Sequence, residues 1–539
     1  MQHQFSDRSF MRKPFLNSLL AIIAACLVML PSCTQPSPRS STTQLTFSWS
    51  QDVGSLNPHR YGPSQMFAQD LVYEPLVTYD RGGRIQPALA ESWKMSPDGK
   101  VVTFQLRQGV QFSDGTPFNA VAAKANFEQI LQNRKEHDWL ELVQAIDRVE
   151  ALGDRTLQLF LKTPYYPVLQ ELTLIRPVRF LSPKAFPESG TTAQGIKAPI
   201  GTGPWILADY RKDTYAVFKR NETYWGQKPA LEQVTVKIVP DSETRVLAFE
   251  RNEVDLIYGS DEISLDSFRQ LRDSGQYLAE VSPPLSTRAL AINSNRGATK
   301  DLKVRQAIQH SVNKDAIISA IFYNTEQKAE TYFSKEVPYA DVGLQPYLYD
   351  VDRAKVLLDQ AGWKQAAGQT IRQKDGQPLV LDLSFSGDNK VDRAIAEAIQ
   401  SDLKTVGIEV KLLGEEKQSW RERQSTGEFH LIFNETWGPP YEPQAMVSSM
   451  RVPSHADYAA QTGLPMKADL DRKIGEVLRT TQSAQRQQLY RDILTTLHQQ
   501  AVYLPISYST NIAVLHKNLS GFEFMPQAYQ VPINKLSKS

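Results

Sequence analysis

Leu45, Phe47 and Trp49 alternate with polar neighbours, as do Leu157, Leu159 and Leu161, and Val234, Val236 and Ile238. Apolar residues at every second position predict strands with one buried face. Leu379, Leu381, Leu383 and Phe385 predict a further strand, and Ile408, Val410 and Leu412 another. Elsewhere the period lengthens to that of a helix. Asp352 to Gly362 predicts a helix with a glycine stop, and Ile395, Ile399, Leu403 and Val406 stripe a helix ended by Gly407. Leu489, Ile493, Leu497 and Ala501 stripe a late helix. Asp98-Gly99 and Asp114-Gly115 are turn dipeptides, after which Phe118, Val121, Ala122 and Ala125 predict one apolar helix face. Strands alternating with helices predict an α/β architecture.

Turn residues give the rest of the layout. The Ser55–Tyr61 run is a loop after the first strand, followed by Met66, Phe67, Leu71, Val72 and Tyr73 at helical spacing. Loops in that place often face a cleft, which makes Tyr61 and Met66 candidates to line one, although ordinary packing explains either alone. Pro283-Pro284 predicts a crossover and Leu504-Pro505-Ile506 a return. The Trp437–His455 segment holds Pro439, Pro440, Pro443 and Pro453, which lack backbone donors and fix φ. It predicts a stiff loop, neither a long helix nor a central strand, that holds two aromatic faces and one imidazole in place.

A chain of 539 residues is too long for one core, so two or more lobes are expected. A formal net charge of +1 argues against nucleic acid as the main partner, because phosphate binding favours a basic field. Arg12 and Lys13 followed by the apolar run Leu19–Leu30 predict a signal peptide, the run being shorter than the ~20 residues that span a bilayer. Leu30-Pro31-Ser32-Cys33 is similar to the lipobox of bacterial lipoproteins, so residues 1–33 are expected to be a leader ending at a lipidated Cys33, and residues 34–43 a polar tether. The alternative is cleavage nearby and a free protein. Cys26 and Cys33 are the two cysteines, which leaves the mature domain without a disulfide or a thiolate metal site.

Enzyme signatures are missing. There is no Gly-x-Ser-x-Gly elbow, HExxH, P-loop or GxGxxG, and Gly201-Thr202-Gly203 is followed by proline rather than completing a phosphate loop. Acidic pairs among 59 Asp and Glu residues are too common to identify a hydrolase. No two histidines stand at HxH or HxxxH spacing. A transition metal could bind only if a small molecule supplied most ligands and one protein imidazole completed the sphere; imidazole suits Ni(II).

The Leu89–Phe127 stretch resembles the solute-binding proteins of ABC importers for peptides and nickel (family 5). So do Gly201–Trp205, Asn221–Trp225, Asp241–Asp255 and Val304–Asn313. The resemblance covers essentially the whole mature chain. Tyr61–Gln69, Trp139–Leu142, Arg176–Phe180 and Trp437–His455 are most similar to the nickel-binding members. It implies a two-lobed periplasmic-binding-protein type II fold (cluster C) with a hinge and a central cleft. Residues 44–284 with 510–539 would form lobe I, and 285–509 lobe II. No catalytic residue or cofactor is implied. The cargo would be Ni(II) with a small chelator such as free histidine, passed by a periplasmic or surface-anchored monomer to inner-membrane permease subunits. His455 would be the direct metal ligand. Arg176 would grip a chelator carboxylate, with Arg179 the fallback, and Tyr61, Met66, Trp139, Trp437 and Tyr441 would wall the pocket. His137 is a lesser candidate, expected to face away from Trp139 if its segment is helical. The rivals are a peptide binder of the same fold, a binder of another metallophore, and a hydrolase. Peptide binding would want an Asp soon after Trp437, where Glu442 is the only nearby acid.

Overall fold

The computed structural model describes residues 42–60, 62 and 65–539. The expected leader, Cys33, the tether as far as Ser41, and Tyr61 lie outside the described residues. Among the described residues no helix is long and apolar enough to cross a membrane.

Two mixed sheets organise the chain. A seven-stranded sheet runs in the order Leu278–Val281, Ile512–Leu515, Leu256–Tyr258, Gln44–Trp49, Gln233–Ile238, Tyr215–Arg220, Trp205–Arg211. Gln44–Trp49 and Gln233–Ile238 pair in parallel, with Leu45 opposite Val234 and Phe47 opposite Val236. That register stacks the two alternating sets on one face, where they bury against Phe67, Leu71, Trp205 and Phe218. A six-stranded sheet has the order Gln327–Lys328, Tyr503–Ser509, Ser286–Ile292, Leu431–Glu435, Val380–Ser386, Glu409–Glu415. Helix Lys390–Thr405 connects the parallel strands Val380–Ser386 and Glu409–Glu415 and buries Ile395, Ile399 and Leu403 against them. Gly407, at φ +86, lets the chain reverse there, since a side chain in that left-handed conformation is strained.

A smaller antiparallel sheet, Ala90–Met95, Val101–Leu106, Thr156–Leu161, Ile146–Leu152, is crossed by helix Ala120–Gln132. Its core is continuous with helices Gln444–Ser449, Lys467–Arg479 and Ser483–Gln499.

The chain passes from the seven-stranded to the six-stranded sheet between Val281 and Ser286, through Pro283-Pro284, and back between Ser509 and Ile512. The two crossing segments are hydrogen-bonded to each other: Ser282 N–H donates to Asn511 O at 2.8 Å and Leu285 N–H to Ser509 O at 2.8 Å. Leu504-Pro505-Ile506 is not the return. It is interior to strand Tyr503–Ser509, and the register shift opposite Arg288/Ala289 makes room there for a proline without a donor.

Two further expectations are corrected. Val121 is 59% exposed; the buried face of its helix is Ala122, Ala123, Asn126, Phe127 and Ile130. The Trp437–His455 segment is irregular as far as Pro443, folds as a short buried helix over Gln444–Ser449, and is irregular again as far as His455.

Candidate functional site

Met66 opens helix Met66–Val72, Trp139 follows the short helical turn Arg134–His137, and Arg176 lies in the irregular run after helix Val168–Glu171. Trp437 and Tyr441 sit in the loop that leaves strand Leu431–Glu435, and His455 caps helix Ala456–Gln461. These distant segments converge in an unbroken chain of contacts. Arg176 Nε–H donates to the Met66 thioether at 3.3 Å, and the guanidinium carbon lies 4.8 Å from the centre of the Trp139 ring. The Trp139 ring is 6.4 Å from Tyr441. Tyr441 meets Trp437 edge-on at 5.9 Å, and Trp437 is 5.9 Å from the His455 ring. Every predicted site residue among the described ones is in this cluster.

The two arginines of Arg176–Phe180 differ in what they touch. Arg179 is spent on structure: its guanidinium donates to the carbonyls of Leu174, Val178 and Thr173, and it lies 3.8 Å from Asp70. Arg176 is buried yet turned to the thioether and indole of the cluster, where a planar cation stacks on an aromatic face. Burial holds the half-buried His455 imidazole below its usual value, with Asp457 pulling the other way. Asp457 itself accepts from Tyr503 Oη at 2.7 Å and from Asn434 Nδ2 at 2.9 Å, which ties the His455 helix to strands Tyr503–Ser509 and Leu431–Glu435.

His137 lies in the short turn Arg134–His137 just before Trp139. It is 1% exposed and close enough to Arg176 to feel its charge. Burial first, and Arg176 second, push it down to about 4. His59 is fully buried beside it, its ring nitrogens on Thr192 Oγ1 and Arg179 O.

Residues that sequence reasoning did not assign also hold the cluster. Glu141 accepts from Arg451 at 2.9 Å and from the Ser448 hydroxyl, closing the edge next to Trp139. Glu141 lies in the Trp139–Leu142 run, but partners some 310 residues away leave no signal in sequence spacing. Tyr166 Oη meets Tyr490 Oη at 2.5 Å further along the same seam. Glu442 accepts from Gly438 N–H at 2.7 Å inside the aromatic loop itself. Gly438, at φ +69, passes so close to Leu285 that a Cβ would stand 2.9 Å from its carbonyl oxygen. A cavity of about 210 Å³ lies behind this loop, lined by Pro439 and Glu442 together with Tyr79, Arg81, Thr287 and Glu336; Trp437 and Tyr441 are not in its wall.

Among the described residues, no group of three or more His, Cys, Asp or Glu side chains converges as a metal site. One imidazole, one guanidinium, one thioether and three aromatic rings cannot complete the sphere of a bare ion. They suit a compact complex that brings its own donor atoms and at least one carboxylate.

Residues 84–458 match the bacterial extracellular solute-binding proteins, family 5 (middle region). The chain is 47% identical over 522 residues, 97% of its length and 98% of the relative's, to the nickel-binding periplasmic protein of Escherichia coli. It is 27% identical, over 94% of its length and 95% of the relative's, to the dipeptide-binding protein of the same organism. The crystal structure of NikA from Brucella suis in complex with Fe(III)-EDTA superposes with a TM-score of 0.90 at 52% identity, covering 92% of this chain and all of that one.

Proposed function

Because the chain belongs to the bacterial extracellular solute-binding proteins of family 5, we propose that it captures Ni(II) already wrapped in a small carboxylate chelator, such as free histidine, and delivers it to the permease of an ABC importer. The observation that carries this reading is the contact chain Met66–Arg176–Trp139–Tyr441–Trp437–His455. It offers one nitrogen to a metal, one planar cation to a carboxylate, and apolar faces to everything between. In the proposal His455 is the metal ligand, Arg176 holds the chelator carboxylate, and Met66, Trp139, Trp437 and Tyr441, with Tyr61, wall the pocket. Residues 44–284 with 510–539 act as lobe I and 285–509 as lobe II. They close over the cargo about the paired crossing segments, the Glu141–Arg451 and Tyr166–Tyr490 contacts being made in the closed state. The protein works extracytoplasmically as a monomer, held to the membrane through Cys33.

The relative at 27% identity keeps a peptide reading in play. Glu442 weighs against it: the carboxylate is 3% exposed and engaged by the loop's own donors, so it is not presented to a peptide ammonium. Fe(III)-EDTA in the Brucella protein supports a pocket shaped for chelates of more than one metal. A thermal-shift panel tests the proposal. Nickel with histidine should raise the melting temperature and dipeptides should not; the reverse pattern would replace this reading with peptide capture.

A further inference from the structure

We propose that Glu442 is the positioning residue of the chelate site, a brace inside the aromatic loop that sets where Trp437 and Tyr441 stand. The inference rests on the chelate reading for its functional consequence, but the brace itself does not.

The loop has an unusual mechanical problem. On one side it carries the rings that touch Trp139 and His455; on the other, Pro439 and Glu442 border a cavity of about 210 Å³. Side chains normally hold their positions because the interior behind them is filled. Where Pro439 and Glu442 border the cavity that filling is interrupted, so the loop needs another restraint. Pro439, Pro440 and Pro443 stiffen the loop but supply no donor to fasten it. Glu442 supplies the fastening. Its carboxylate accepts from Gly438 N–H at 2.7 Å and is also engaged by the Thr436 hydroxyl and the Trp437 N–H. The residues on either side of Trp437 are thereby tied to a side chain directly after Tyr441. Thr436 extends the tie: its Oγ1 accepts from Thr287 N–H at 2.8 Å, and its own N–H donates to Thr287 O at 2.9 Å. Thr287 belongs to strand Ser286–Ile292, which begins where the chain crosses between the two large sheets. The brace therefore couples the aromatic wall to the crossing segment.

Charge gives the brace a signature. Burial pushes Glu442 up to about 7, and Glu435 adds to the push, while the Thr436, Gly438 and Trp437 donors oppose both. The other titratable groups around it are Tyr79 and Tyr332, whose phenols sense its charge, and Arg81 and Glu336 across the cavity. Below about pH 7 the carboxyl gains a proton and accepts more weakly from its donors. A group that only filled space would show no such dependence.

The test reads the loop first and the cargo second. In the unliganded full-length protein, the protection of the Gly438 amide against hydrogen exchange should depend on pH between 8 and 6. Glu442→Gln keeps the side-chain volume and should abolish that dependence. Glu442→Ala at pH 8 should lower the protection about tenfold, the scale of one charge-assisted hydrogen bond, and should weaken nickel–histidine binding by a similar factor while the far-ultraviolet spectrum is unchanged. If Glu442→Ala does not fold, the Gln variant's pH profile decides. Wild-type protection that is independent of pH, or variants that keep wild-type protection, would overturn the proposal. If protection follows Glu442 but wild-type protein ignores nickel–histidine, the brace stands and the chelate reading fails.

Discussion

Two side chains carry the chemistry assigned to the cluster, and each makes a separable prediction. His455→Ala should weaken binding of the nickel–histidine complex by about 2 kcal/mol or more, as for a truncated hot spot, with folding intact because a half-buried loop histidine contributes little core. Unchanged affinity in a titration would remove His455 from the metal. Arg176→Ala should cost roughly 2–5 kcal/mol for carboxylate chelators, the range for removing one partner of a buried charged pair. Equal losses for carboxylate-free chelators would make Arg176 a structural residue instead. At this scale the sequence was legible through composition: a Trp, a Tyr and a histidine among prolines marked the segment. Direction was not legible. Nothing in Ile175-Arg176-Pro177-Val178-Arg179 says which guanidinium turns to carbonyls and which to an indole; the fold of the irregular run decides. The face of His137 was not legible for the same reason, since its turn is too short for helical geometry to fix one.

At the scale of elements, strands were read well because period-two alternation survives in any sheet with one buried face, as in Leu45 and Phe47 against Val234 and Val236. The face of helix Ala120–Gln132 was read a step off. Val121 lies in the first turn, where the approach of the smaller sheet, not the pattern, sets the buried side. The loop behind Trp437 depends on Gly438, for both its positive φ and its approach to Leu285 O. Gly438→Ala should cost about 1–2 kcal/mol from backbone conformation alone and displace Trp437, seen as a shifted fluorescence maximum with reduced chelate affinity. Wild-type stability and emission would show that the loop tolerates a Cβ there.

The whole molecule sets the pH response. Burial pushes Glu171 up to about 8 and Glu74, Glu326 and Glu442 up to about 7. A carboxyl raised above its unfolded value of 4.5 binds its proton more tightly in the folded state. Its stabilising contribution is therefore complete below pH 4.5 and lost as pH rises through 7 to 8. His59 and His137, held down to about 4, act in the opposite sense between 4 and 6.5 and are silent above that. Stability to urea should thus fall between pH 6.5 and 8, and Glu171→Gln should shrink the fall. A rise over that window would show that these carboxyls are ionised as in the unfolded chain. None of this was legible in the sequence, because burial of a carboxylate is a property of packing between distant segments.

The central claim is that the cluster holds a metal through its chelator and one imidazole. Calorimetric titration of the mature domain with nickel, with and without two equivalents of free histidine, tests it most directly. Tight binding is expected when histidine is present and little heat when it is absent. Tight binding of bare nickel would require protein ligands that this cluster does not supply, and no heat in either titration would contradict chelate capture altogether.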